Sequence, residues 1–414
     1  MKAQAWSLRR NFLDTLINKA TGNNKKRLID IKKREESSLQ WRIWKAVTGG
    51  NKGAAVTEVE YKNEGEIVRV STREEVETTI MRCLTKRFSL TNHSTSMSKP
   101  FVEKVGYLAE KPGANRILQG NIPEEWKENK DLELFLSLLK YPKTRKYITE
   151  RIDTKDFIQY WRKAKERTSS SISGINFGHY IGACDSEGLS NLHATFLDLV
   201  ISTGSIVTRW VKGLSVMLEK IKGNINVEKL RAILLMEADY NFLNKLLIGI
   251  RLMRRLEGEN KLPADLGVSR KEHDAINIAL GRKLTSDIMR QLRRSGTIKG
   301  VDTASCYDRI VHLIVILIAR QAGFYLLPLI TLFGAIQNMQ YYVRTGYGES
   351  EQFYGGKQNI PFQGTCQGNG GSPAYWLIVT MIMVGAMYKT GNITELNFPM
   401  DRTKKLRNMG FIFV

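Results

Sequence analysis

The stretch VDTASCYDRI, Val301 to Ile310, holds two carboxylates six residues apart, Asp302 and Asp308, in a 414-residue chain of formal charge +22. Carboxylates at that spacing either steady backbone or hold a cation. The local pattern predicts Asp302 at the end of a short extended segment, a turn at Thr303–Ser305, and a helix running from Cys306 into VHLIVILIA. Asp308 then falls in the first helical turn, where the backbone dipole favours negative charge. That is an ordinary structural role. A strand-end carboxylate beside buried residues is costly unless paired or bound to a cation, so Asp302 is the candidate metal ligand. The expected ion is Mg²⁺ (or Mn²⁺), because hard divalent ions take one or two carboxylates plus substrate phosphate oxygens.

Two other segments have residue types suited to chemistry. In PFQGTCQGNGGSPAYW, Pro361–Trp376, two Gln-Gly pairs precede an apolar helix with Pro373 in its first turn. Glycine lets backbone approach a ligand closely, and the Gln367 amide suits a sugar hydroxyl or a base edge. A plain loop-to-helix junction is the competing reading. Between Arg209 and Gly300 there are 19 Lys+Arg against 10 Asp+Glu, concentrated around the IKGNIN turn at Lys220, Lys222, Lys229 and Arg231. Cations on a glycine turn between short strands can neutralise a triphosphate. On these residues alone, a solvated charged hairpin is the favoured reading.

The elements that must position these residues are mixed. Residues 1 to about 50 read as basic helix, VTEVEYKNEGEIVRVST as a small hairpin, and STREEVETTIMRCLTKRF as a helix capped by Ser71 with Glu74 completing a capping box. Residues 90–125, rich in Ser, Asn, Pro and Gly, read as loop or linker. A second helical block starts near Asp153, two strands flank IKGNIN, HDAINIALGRKLTSDIMRQLRR is an amphipathic helix, and a last helix follows Pro373. The order indicates an α+β fold, not a doubly wound parallel sheet. Three regions are expected: a basic, mainly helical 1–150, then 151–300, then 301–414.

Composition narrows the function class. The charge excess favours a polyanionic partner, nucleic acid before anionic membrane. Four scattered cysteines form no CxxC, which argues against a zinc ribbon or a disulfide framework and for a reducing compartment. The start has no apolar run of signal-peptide length. The apolar run after Val311 is interrupted by Arg320, Gln321 and Pro328, and WLIVTMIMVGAMY has 13 residues, short of the ~20 a spanning helix needs. No membrane partner and an intracellular location, nucleus or cytoplasm, are expected.

Taken in order, these segments resemble reverse transcriptase, the RNA-directed DNA polymerase of retroelements, from about Ile172 to Val414, most nearly the elements without long terminal repeats. Asp302 falls on the metal-binding aspartate of the family's D-x4-[FY]-D palm motif. Gln367, Gly368, Ser372 and Pro373 match its QG-x3-SP motif. Lys220 or Lys222 and Arg231 fall where the fingers hairpin carries cations for the triphosphate. ADLGVSRKEHDAINIAL is similar to the segment joining fingers to palm. The resemblance implies fingers and a partial palm, an RNA template, a DNA primer and dNTPs as partners, and two-metal nucleotidyl transfer. It places Tyr307 under the incoming sugar, where an aromatic ring leaves no room for a 2′-hydroxyl. RNA-directed RNA polymerases carry an aspartate at that spacing, so DNA synthesis is favoured. The family's other metal ligands are an Asp-Asp pair after an apolar strand. The terminal GFIFV resembles that strand and stops short of the pair, so the expectation is a fragment without a thumb, inactive in this form. The alternative is a non-catalytic remnant that binds RNA or RNA–DNA hybrid.

Overall fold

The computed structural model describes residues 2–47, 56–144, 146–166, 168, 171–263, 266–267, 270, 273, 275–293, 305–390, 394–397 and 405–408. Asp302 and GFIFV lie outside the described residues, as does the predicted extended segment before Thr303. The chain divides into two units, Met1–Ala54 and Ala55–Val414. In the first, the helices Lys2–Lys19 and Gly22–Val47 pack on each other, joined by Arg10–Glu36 at 3.5 Å and by a Lys32–Asp14 pair.

The second unit is α+β. Its strands are β1 (Val59–Asn63), β2 (Glu66–Val70), β3 (Lys212–Glu219), β4 (Leu230–Leu235), β5 (Gln340–Thr345), β6 (Gly348–Gly355), β7 (Thr394–Asn397) and β8 (Lys405–Asn408). β1–β2 and β7–β8 are separate antiparallel pairs, and the other four form one sheet in the order β4-β3-β5-β6. β3 runs antiparallel to β4 and parallel to β5. The sheet is held from the side by the helix Arg73–Phe88, whose last residue stacks on Tyr341, Tyr354 and Phe362.

Behind the site lie three apolar helices, His312–Gln321, Leu326–Gln337 and Ser372–Lys389. Every residue from His312 to Arg320 is buried, as expected of a helix that is apolar all round and sits in a core. Arg320 is no exception to that logic. Its guanidinium donates to the Ala109 carbonyl at 3.0 Å and to Asn115 Oδ1 at 2.5 Å. Among the described residues no helix is long and apolar enough to cross a membrane.

Three local expectations change. Residues 90–125 are not linker: they form helices Lys99–Val105 and Pro112–Gln119 that bury Phe101, Val105, Ile117 and Leu118. Pro100 and Pro112 stand in first turns, where proline starts a helix instead of breaking one. The cap of the helix Arg73–Phe88 is one residue later than predicted: Thr72 Oγ1 accepts from the Glu75 amide, and the pair of side chains joins at 2.6 Å. Finally, the helix after VDTASCYDRI begins at His312. Cys306–Arg309 is a separate 3-10 turn, so Asp308 is not in that helix's first turn.

Candidate functional site

The basic turn between β3 and β4 is built as the alternating residues suggest. Leu230 and Leu234 face the core while Arg231, opposite Leu218, is exposed. Lys220 and Lys222 stand in the exposed turn, and the Gly223 amide donates to Glu219 Oε2. None of Lys220, Lys222 and Arg231 has a carboxylate partner among the described residues. The turn is nevertheless anchored. The Glu60 amide of β1 donates to the Ile225 carbonyl at 3.0 Å, and Arg87 Nη2 donates to the Glu228 carbonyl at 3.1 Å.

Arg87 also ties this turn to the acidic segment. Its Nη1 lies 4.0 Å from Asp308 Oδ2. Asp308 is 8% exposed, and burial pushes its carboxyl up to about 6, with Arg87 and then Arg309 pulling it back. Its role is buried pairing. Tyr307, beside it, is half-buried against the core, and burial raises its phenol above the ordinary value.

The glycine-rich loop joins both segments. The Gly364 amide donates to the Ile310 carbonyl and the Thr365 amide to the Tyr307 carbonyl, each at 2.8 Å. Further on, the Leu234 amide donates to the Gln367 carbonyl at 2.7 Å, which closes the outer edge of β4, the kind of edge proteins cover or blunt. The two Gln-Gly pairs therefore do different work. Gln363 is buried: its Oε1 accepts from the first amide of the helix at His312, and its Nε2 donates to the Pro361 carbonyl. Gln367 is part-exposed, and its side-chain amide has no hydrogen-bond partner among the described residues. Of the two, only Gln367 reaches solvent.

The glycines are explained by the chain's own packing. At Gly364, φ is +92°, and a Cβ would lie 2.7 Å from Asp308 backbone atoms. At Gly368, φ is +115°, and a Cβ would lie 2.1 Å from the Leu234 carbonyl oxygen. Close approach of the chain's own backbone requires glycine at both. Between them, buried Cys366 holds φ +60°, a sparsely populated conformation for a residue with a Cβ.

Asn241, Asn244 and Ser372 finish the loop. Asn241 accepts from the Gly370 amide at 2.6 Å and donates to the Gly368 carbonyl at 3.2 Å. Asn244 Oδ1 accepts from the Tyr375 hydroxyl at 3.0 Å, and the Ser372 hydroxyl contacts the Thr365 and Cys366 carbonyls. Sequence reading missed Arg87, Gln363, Asn241 and Asn244. The two asparagines left a trace, polar residues three apart in an apolar helical run; Arg87 left none.

Among the described residues no group of three His, Cys, Asp or Glu side chains is placed to hold a metal ion. Asp308, turned to Arg87, does not fit the role of ligand. Comparison with protein-family models and with curated proteins gives no match.

Proposed function

We propose that residues 151–414, within the unit from Ala55 onward, are a nucleotide-binding fingers and partial palm of the reverse-transcriptase kind, acting on an RNA template with a DNA primer. What supports the reading is one junction. The Gln367 carbonyl bonds to β4 of the cationic hairpin while, two residues earlier, Thr365 bonds to Tyr307. Segments some 60 to 130 residues apart in the chain thus meet through backbone hydrogen bonds. In this reading Arg231, Lys220 and Lys222 take the triphosphate, Gln367 meets the sugar or base, and Tyr307 excludes a 2′-hydroxyl. The described residues supply no metal site, so no step is assigned to a metal. Asp302 remains the proposed ligand from its sequence motif.

The test is displacement of a fluorescent dNTP from the chain bound to an RNA–DNA template-primer. Tyr307→Val should narrow the dNTP/rNTP preference, and Arg231→Gln should weaken both nucleotides. An unchanged preference in the first variant counts against the sugar pocket, and unchanged affinity in the second against the hairpin.

The second reading is a non-catalytic module that binds RNA or RNA–DNA hybrid, favoured by the exposed cations Lys220, Lys222 and Arg231, which have no carboxylate partner among the described residues. It predicts steeply salt-dependent binding with no discrimination between dNTP and rNTP.

A further inference from the structure

Next to the glycine-rich loop, a cleft of about 600 Å³ opens between the helix Thr154–Trp161 with its following turn and the helical run after Ala238. Among the described residues its lining includes five cations, Lys163, Lys165, Lys245, Arg251 and Arg254, against a single carboxylate, Asp156. Arg251 consumes that carboxylate at 2.6 Å. The remaining four have no carboxylate partner among the described residues. Lys245 Nζ lies 5.8 Å from the centroid of the Tyr160 ring, which holds the ammonium at the cleft wall.

The two cations on the long helix reach one cleft for an unusual reason. Lys245 and Arg254 are nine residues apart, and at 3.6 residues per turn such residues point to opposite sides of an α-helix. Here Asn244–Leu252 is π-helical. Its i→i+5 bonds widen each turn, so each residue rotates less and both side chains come to the same face. The π segment also meets the loop directly: a Cβ on Gly249 would lie 3.2 Å from the Gly370 carbonyl, and Gly370 itself lines the cleft. Short π stretches concentrate at functional sites.

We propose that this cleft binds the phosphodiester backbone of single-stranded nucleic acid and delivers it to the loop at Gln367–Gly370. The choice of nucleic acid as the anion rests on the function proposed above; the cation cluster and its π-helical construction do not. The experiment is fluorescence anisotropy of a short labelled oligouridylate with the full chain, over a range of salt. At about 0.7 counterions per phosphate contact on a single strand, losing two contacts in Lys245→Gln/Arg254→Gln should cut affinity about 25-fold at 0.1 M salt. The slope of log Kd against log salt should become shallower by about 1.4. Charge-keeping Lys245→Arg/Arg254→Lys should restore most of the affinity. Unchanged binding in the double glutamine variant, or weaker binding with the wild-type slope, overturns the proposal. Displacement of the oligonucleotide by tripolyphosphate at equal charge concentration would make the cleft a site for free polyphosphate and overturn its nucleic-acid identity. If nucleotide discrimination fails while the glutamine variant still loses oligouridylate, the polymerase reading falls and the cleft stands.

Discussion

Two glycines with positive φ allow the loop junction to be weighed. Gly223, in the basic turn, has φ +79° and nothing within 4 Å of an added Cβ. Gly368 has φ +115° and the Leu234 carbonyl 2.1 Å from the same point. Alanine at Gly223 therefore carries only the backbone penalty of a left-handed conformation, about 1 kcal/mol. Alanine at Gly368 carries a similar or larger penalty and must also push two backbones apart. That breaks the 2.7 Å bond from the Leu234 amide to the Gln367 carbonyl, and an unsatisfied buried amide adds about 1–3 kcal/mol. The sum for Gly368→Ala is about 2–4 kcal/mol, well above the cost of Gly223→Ala. Urea unfolding of the two variants, followed by tryptophan fluorescence, measures the difference. Equal midpoints would mean that the loop is not held on β4, and with that the carrying observation for the proposed function would be lost.

Other expectations follow from buried charge. Because Asp308 is held near 6 when folded against about 4 when unfolded, the folded state binds the extra proton between those values. Its contribution is present below about pH 4 and lost as pH rises through about 6, a change of about 3 kcal/mol. The stability difference between wild type and Asp308→Asn should therefore vary with pH across that window and be flat above it; a difference that starts only above pH 7 contradicts the assignment. Glu150, pushed up to about 7 by burial, shifts in the same sense, and its slope should persist in the Asp308 variant. Arg209 is the cation facing the buried Glu237 and Asp239, which are 1% exposed. Arg209→Ala should cost about 3–5 kcal/mol by leaving uncompensated buried charge, as read by thermal melting; a loss under 1 kcal/mol would mean water or another cation reaches the pair. His312 is buried with Nε2 on the Gly364 carbonyl at 2.6 Å, and burial lowers its pKa to about 4. Its nitrogen NMR shifts should show a neutral ring down to about pH 5, and an imidazolium at pH 6 would refute that environment.

Much of the fold was legible locally. The hairpins of β1–β2 and β3–β4, the helix Ala275–Gln291 and the helix after Pro373 follow from periodicity and turn chemistry, which act over a few residues. The elements misread were those whose local signals admit two outcomes. Pro100 and Pro112 break helices or begin them according to position, and only the burial of Phe101 and Ile117 makes them beginnings. The β5–β6 hairpin in the Tyr- and Gly-rich stretch was not anticipated, because the partner that orders it, β3, lies more than a hundred residues earlier.

The candidate site divides along the same line. By itself the sequence specified residue types at fixed spacings: the Gln-Gly pairs before Ser372–Pro373, the acid pair around Tyr307, and cations on one turn. Spacing to Ser372–Pro373 singled out Gln367 but could not show where Gln363 goes. Tertiary packing buries Gln363 against His312 and leaves Gln367 part-exposed. Nor could spacing show that Asp308 answers to Arg87, some 220 residues away, or that a π-helical turn brings Lys245 and Arg254 to one cleft. Those pairings depend on which distant surfaces exclude water together, a property of the packed chain that no local pattern encodes.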